Sequence, residues 1–274
     1  MIRPVKTYDE CRTFATSFQG DPSFSAPMLS SEEQVQCNLV RPIGNPDRYC
    51  VFGVYCEETL TGLFAFLVIR DEQYAEMLVG LSREKAAYSE ALQYLEQHFP
   101  GYGVDFVFNP GNCLLREQLN TRKADFEPEQ QKMVLEAPAP DMDTTGIVPL
   151  SDQYAEQYCA IHNKDMYWTG EKVMQAQDRF HTFLAIRDGR VVGYIDVTCT
   201  FKENEPFDLL VLEEYRRMGY GRKLLAKALE ANAPNAMSVL MDADNVPAIR
   251  LYASMGFAKK QNILTAHGTV PSSE

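Results

Sequence analysis

The sequence predicts an α+β protein (mixed α/β) built from two consecutive domains of related element order. Three observations lead there. A segment rich in proline, small and acidic residues, Glu136–Gly146, has no apolar period and divides the 274 residues nearly in half. The second half alternates strand and helix patterns around one glycine loop. The first half repeats that order loosely. The expected boundaries are 1–136 for the first domain, 137–144 for the linker and 145–274 for the second domain.

Taken in order, Val51–Tyr55 and Leu60–Ile69 are apolar runs suited to a hairpin, and Tyr74–Val79 to a strand. Ser82–Phe99 has helical periodicity. Val104–Phe108, Asn112–Asn120 and Phe126–Leu135 read as strand, helix and strand. In the second half Thr145–Leu150 is a short strand. Asp152–Asn163 is a helix with Tyr154, Tyr158 and Ile161 on one face. A second helix covers about Gly170–Asp178. Phe180–Arg187 and Arg190–Thr200 flank Asp188-Gly189, the dipeptide a tight hairpin turn prefers. Phe207–Leu212 is an apolar strand. Arg222–Ala231 is a helix with Leu224, Leu225, Ala228 and Leu229 inward, stopped before Pro234. Met237–Met241 is a strand, Asn245–Met255 a helix, and Gly256-Phe257 leads into a last strand.

Composition excludes several classes. Hydrophobic residues make up 45% and charged residues 23%, which is globular. No run approaches the roughly 20 apolar residues that span a bilayer, and the N-terminus lacks the apolar core of a signal peptide. The seven cysteines form no C-x-x-C pair or zinc spacing, so reduced thiols, no metal site and a cytoplasmic setting are expected. The net charge of −12 repels nucleic acid and anionic membranes but not a cationic amine.

The chemistry concentrates in Leu209–Leu225. A strand leads into Arg216-Arg217-Met218-Gly219-Tyr220-Gly221-Arg222, and a helix follows. Alternate glycines let backbone N–H groups converge, and the helix start adds free donors and a positive dipole end. Arg217, Arg222 and Lys223 add charge. Together these suit a pyrophosphate. Two other phosphate loops fail on spacing: Gly221 is followed by Arg-Lys-Leu rather than the Lys-Ser/Thr of a G-x-x-x-x-G-K-[ST] loop, and Leu224 stands where a dinucleotide fingerprint needs its third glycine. About thirty residues on, Asn245 suits an N-cap with Pro247 in the first turn. Tyr252 lies two helical turns further on the same face, and Gly256 fits the helix stop.

These two motifs resemble the GNAT superfamily of acyl-CoA-dependent N-acyltransferases over residues 145–265. Its R/Q-x-x-G-x-G/A signature matches Arg216–Gly221. Its N-x-x-A-x-x-L-Y-x-x-x-G-F pattern matches Asn245, Ala248, Leu251, Tyr252, Gly256 and Phe257. The resemblance implies twisted, mixed, mostly antiparallel sheets flanked by helices, with acetyl-CoA as co-substrate. It implies that main-chain groups of Leu209, Leu210 and Val211 bind the pantetheine arm. It further implies that the loop Arg216, Arg217, Met218, Gly219, Tyr220, Gly221 and Arg222 holds the pyrophosphate, and that Asn245 touches the cofactor. Tyr252 would protonate the departing thiolate, a role suited to an O–H aimed at developing negative charge.

The expected reaction is direct attack of a primary amine, of a small molecule or a protein, on the thioester through a tetrahedral intermediate. An ammonium must first lose a proton. Glu205, six residues before Val211, stands where some family members carry a catalytic glutamate, although Pro206 departs from a regular strand; Asp196 is second. Asp165, Tyr167 and Trp168, between the first two helices of the second domain, are expected to line the acceptor pocket. Another acyl-CoA, or a CoA-binding sensor without turnover, are the competing readings, and a homodimer stays open.

The first domain departs from the pattern. Gly80–Lys85 has no alternate glycines, and Asn112 is followed seven residues later by Leu119, not tyrosine. A degenerate GNAT-like domain that has lost cofactor binding and shapes the acceptor site is expected there.

Overall fold

The computed structural model describes residues 1–138, 142–164 and 166–271. In chain order the elements are β1 (Ile2–Pro4), α1 (Tyr8–Thr16), α2 (Glu32–Val35), α3 (Arg41–Ile43), β2 (Tyr49–Cys56), β3 (Thr59–Ile69), β4 (Tyr74–Ser82), α4 (Lys85–His98), β5 (Gly103–Phe108), α5 (Cys113–Thr121), β6 (Asp125–Phe126) and β7 (Gln130–Leu135). They continue with β8 (Ile147–Pro149), α6 (Ala155–Ile161), α7 (Gly170–Gln175), β9 (Phe180–Arg187), β10 (Arg190–Thr198), β11 (Glu203–Asn204), β12 (Pro206–Val211), α8 (Tyr220–Asn232), β13 (Ala236–Asp242), α9 (Val246–Ser254) and β14 (Phe257–Thr269). The fold is mixed α and β with mixed sheets. With α2 and α3, contiguous through helical Gln36–Val40, taken as one stretch and the two-residue β11 set aside, the run β1-α1-α2/α3-β2-β3-β4-α4-β5-α5 is matched by β8-α6-α7-β9-β10-β12-α8-β13-α9.

Two compact units result, residues 1–130 with 261–274, and residues 131–260. This differs from a straight cut at 137–144. The reason lies in what each segment buries. Met133 is part of the second unit's core, whereas Leu264, Ala266 and Val270 belong to the first unit's. Of the expected linker, residues 139–141 lie outside the described residues.

In the first unit the strands run β1-β2-β3-β4-β5, and residues 264–269 of β14 add antiparallel to β5. Helix α4 buries Ala87, Tyr88, Ala91, Leu92 and Leu95, a helical-period stripe, against this sheet. Strands β4 and β5 are parallel partners over Tyr74–Met77 and Gly103–Phe106. A short turn, Pro27–Leu29, packs against both strands and buries Pro27 and Leu29. Asn109 donates to Ser25 at 3.3 Å, and Arg83 donates to the Ser17 carbonyl and to Asp21. The segment expected as one strand over 126–135 is broken at Glu127-Pro128-Glu129, because proline cannot donate to a ladder.

In the second unit β8, β9, β10 and β12 form one sheet, with β12 at its edge. β7, β13 and β11 form another row, with β11 parallel to β13. Asp188 and Gly189 have φ of 51° and 74°, the paired positive values of a type I′ turn, and close the β9–β10 hairpin. Helix α8 buries Leu224, Leu225, Ala228 and Leu229; each such leucine contributes about 1.5–3 kcal/mol by leaving water. β12 and β13 fall in different rows, and the opening between them is the site.

Candidate active site

The groove between β12 and β13 encloses about 950 Å³. Pro206–Val211 form one wall, Val239–Met241 the other, and Gly219–Arg222, Asn245 and Tyr252 its floor and end. β12 pairs with β10 on one side only, so the main-chain groups of Leu209, Leu210 and Val211 along its other edge face the groove. Such an edge can take an extended amide chain as an added strand. Gly193 on β10 makes the close pairing feasible: a Cβ there would lie 2.7 Å from the Leu210 carbonyl oxygen.

The loop after β12 is curled by two positive-φ residues, Arg217 at 62° and Gly219 at 89°. Gly219 caps α8, and the first-turn N–H groups of that helix have no intrahelical acceptor. The curl and the helix start together form an anion-binding concavity. The loop's side chains are used unevenly. Arg216 turns back and donates from Nε to the Val211 carbonyl at 3.0 Å. Arg222 donates to Ser254, and Lys223 pairs with Asp143 at 2.8 Å. Met218 is exposed and does not line the groove. The anion site is therefore mainly backbone, which is what alternate glycines provide.

Asn245 is the N-cap of α9; its Oδ1 accepts from the Ala248 N–H at 3.2 Å. Asn112 caps α5 of the first unit in the same way through Leu115. Tyr252 is buried against Phe257 and lines the groove. Burial, and then the charge of Asp208, push its phenol well above the ordinary value, so it stays protonated. No protein hydrogen bond to its hydroxyl is seen among the described residues.

Asp208, the single charge inside the apolar run Phe207–Leu212, is not among the residues expected from the sequence. The β10–β12 register shifts at Asp196/Val197, with Asp208 opposite Asp196 and Pro206 opposite Val197, so Phe207 is the extra residue of a bulge. Asp208 lines the groove beside it. The Tyr194 hydroxyl donates to its Oδ2 at 2.6 Å. Burial raises the Asp208 carboxyl; the Tyr194 hydrogen bond and then His162 oppose the shift.

Behind Asp208 lies a buried polar cluster. Asp196 accepts from Tyr158 at 2.9 Å and from Thr182 at 2.6 Å, and its Oδ2 lies 2.9 Å from Nε2 of His162. His162 stacks on Tyr194, centroids 4.8 Å apart. Ligating atoms of His162, Asp196 and Asp208 lie within 4.8 Å of one another, a spacing that could hold a metal ion. Hydroxyl donors already engage both Asp196 oxygens, so hydrogen bonding accounts for the arrangement.

The remaining expected residues are scattered. Glu205 is exposed between β11 and β12 and is not part of the groove lining; burial of its carboxyl still raises it somewhat. Asp196 is fully buried and has no open face. Trp168 packs on Phe180, which packs on Phe207 of the groove wall, at 5.1 and 5.6 Å. Tyr167 is exposed under Lys172. Neither Tyr167 nor Trp168 lines the groove itself, and Asp165 lies outside the described residues.

Residues 178–259 match the family model described as an acetyltransferase (GNAT) domain. Over 111 residues, 35% of this chain, the sequence is 32% identical to an N-alpha-acetyltransferase of Sulfurisphaera tokodaii, and the match spans 65% of that protein. A GCN5-related N-acetyltransferase from Sphaerobacter thermophilus superposes with a TM-score of 0.61 at 14% identity, covering 100% of this chain and 97% of that one. A GNAT-family acetyltransferase from Colwellia psychrerythraea gives 0.50 at 12% identity, covering 98% and 99%. The structural likenesses are likenesses of fold.

Proposed function

We propose that the acetyltransferase (GNAT) domain this chain carries moves an acetyl group from acetyl-CoA to a primary amine in the β12–β13 groove. The observation that supports it most is the meeting, in one groove, of an open strand edge, a curled amide loop, a phenol kept protonated and a carboxylate. The edge at Leu209–Val211 suits the pantetheine amides, and the Arg217–Arg222 loop suits the pyrophosphate. Gly219 leaves the loop open, with nothing within 4 Å of a Cβ position.

Asp208 is the base in this reading, in place of Glu205, because it lines the groove and Glu205 does not. Its raised carboxyl is a better proton acceptor than an exposed aspartate. The amine loses its proton to Asp208 and attacks the thioester carbon. The tetrahedral oxyanion collapses, the C–S bond breaks, and the Tyr252 hydroxyl delivers a proton to the leaving thiolate; the second proton of the attacking nitrogen passes to the Tyr252 phenolate, leaving a neutral amide, and Asp208 releases its proton to solvent. No enzyme cysteine takes part. A protein or peptide α-amine is one candidate acceptor, on the strength of the archaeal relative's description.

CoA binding by calorimetry, with thiol release from acetyl-CoA across a panel of amines, tests the reading. Binding with amine-dependent release is expected. Binding without release on any amine would favour a sensor, and absence of binding would remove both.

A further inference from the structure

We propose that His162 is a resident imidazolium, held between Asp196 and Asp208, whose charge keeps the groove carboxylate Asp208 ionised. This rests on Asp208 being the base of the proposed reaction, and makes His162 a positioning residue acting through it.

Hydrogen-bond polarity fixes the protons on the imidazole. Nδ1 of His162 lies 2.9 Å from the Asn163 carbonyl oxygen, which can only accept, so Nδ1 bears a hydrogen. Nε2 lies 2.9 Å from Oδ2 of Asp196. One proton must sit between that nitrogen and that oxygen. The hydroxyls of Tyr158 and Thr182 both donate to Asp196, and two hydroxyl donors on one carboxyl favour an acceptor-only group there. The shared proton therefore belongs to Nε2, and both ring nitrogens carry hydrogens.

The site is dry enough for this charge to act. The His162 and Asp196 side chains are 1% and 0% exposed, and Asp208 is 17% exposed. Nε2 lies 4.0 Å from Oδ2 of Asp208, too far for a hydrogen bond and close enough for strong Coulomb attraction at low dielectric. The groups facing the imidazole from its neighbours are Tyr158 on α6, Thr182 on β9, Tyr194 and Asp196 on β10, and Asp208 on β12. The Glu171 carboxylate on α7 also feels its charge. Lys164 also acts on Glu171, ahead of His162; the side chains hydrogen-bonded to the imidazole or stacked on it, Asp196 and Tyr194, bring no cation. The raised basicity of His162, in which its hydrogen bond to Asp196 overcomes burial, agrees with this geometry. Without the imidazolium, Asp208 would stand half-buried beside a second carboxylate and would hold its proton. A protonated Asp208 cannot accept one from an amine.

The test uses the full chain. With ring-15N histidine, only four residues report, and loss of a signal in His162→Gln assigns the one of interest. Two N–H-bearing ring nitrogens are expected at pH 7, where an ordinary histidine is mostly neutral; a neutral ring at that pH in the unmutated protein would overturn the proposal even if the variant fails to fold. Carboxyl-13C aspartate, assigned with Asp208→Asn, then follows Asp208 directly. Its ionisation constant should weaken about tenfold or more in His162→Gln, a rise of one pH unit. An unchanged Asp208 titration would overturn the proposal. The acidic limb of kcat/KM for a probe peptide amine should move by the same amount, with KM for acetyl-CoA unaltered. If Asp208→Asn retains full turnover, the base assignment fails, while the carboxyl titration still decides the role of His162.

Discussion

The Tyr194 hydroxyl donates to Oδ2 of Asp208 at 2.6 Å across the β10–β12 pair, and the Tyr194 hydroxyl oxygen accepts from the Asn163 N–H at 3.2 Å. One phenol thus ties the groove carboxylate to the segment that follows α6. Tyr194→Phe keeps the ring that stacks on His162 but removes both bonds. Hydrogen bonds to charged groups contribute about 1.5–3 kcal/mol, so a stability loss of that order is expected in urea unfolding. Because the bond holds Asp208 down, its carboxyl should rise and the acidic limb of turnover move to higher pH. An unmoved limb would show that Tyr194 is only structural.

Tyr252→Phe should slow acetyl transfer roughly 100-fold, the low end of what a positioned acid provides, with CoA affinity little changed. The phenol makes no protein hydrogen bond among the described residues, so the variant should fold normally. Initial rates beside calorimetric CoA binding decide this; unchanged turnover removes the acid role.

The two glycines of the groove should fail in different ways. A Cβ at Gly193 meets the Leu210 carbonyl at 2.7 Å, so Gly193→Ala should force β12 away and lower both stability and CoA affinity. Around Gly219 there is open space, but its φ of 89° disfavours any L side chain by roughly 1–2 kcal/mol. Gly219→Ala should weaken CoA binding mildly, and Gly219→Glu should abolish it by setting a negative charge in the amide loop. Thermal unfolding and CoA titration of the three variants separate these outcomes.

In the first unit His267 lies 2.6 Å from Asp105 and 2.9 Å from Glu127. Its hydrogen bonds to those carboxylates, Asp105 first, raise its basicity above the ordinary value of 6.5. A raised histidine stabilises the fold fully below 6.5, and that contribution is lost as pH rises through the higher folded value. Amide exchange of Leu264–Thr269, the residues paired with β5, should therefore quicken on passing from pH 6 to above the raised value, beyond its intrinsic base dependence. His267→Gln should remove that extra step; an identical profile in both proteins would refute it.

Local chemistry was legible in the sequence; long-range pairing was not. The Asp188-Gly189 turn, the cap at Asn245 and the loop Arg216–Arg222 depend on neighbours in the chain, and each stands in the structure within a residue or so of its expectation. The helix expected from Arg222 begins at Tyr220, since Gly219 rather than a polar side chain caps it. Strands β1 and β11 escaped because three and two residues carry no period. Nothing local told that Met133 would be buried in one core and Leu264 in the other. Glu205 was named by its position relative to Val211, whereas the groove carboxylate is Asp208, beside the Phe207 bulge, and a bulge is a property of the ladder, not of the strand alone. The His162–Asp196 pair joins residues 34 apart, which no motif spacing encodes.

Mass spectrometry of a probe peptide with a free α-amine, incubated with acetyl-CoA and the full chain, tests the central claim most directly. The account predicts acetylation of the free amine, none on an N-terminally blocked control lacking lysine, and a loss of 100-fold or so in rate with Asp208→Asn. If a panel extended to lysine side chains and polyamines yields no acetylated amine while CoA binds the groove, acetyl transfer to amines is contradicted. If Asp208→Asn acetylates as fast as the unmutated protein, the proton is taken elsewhere.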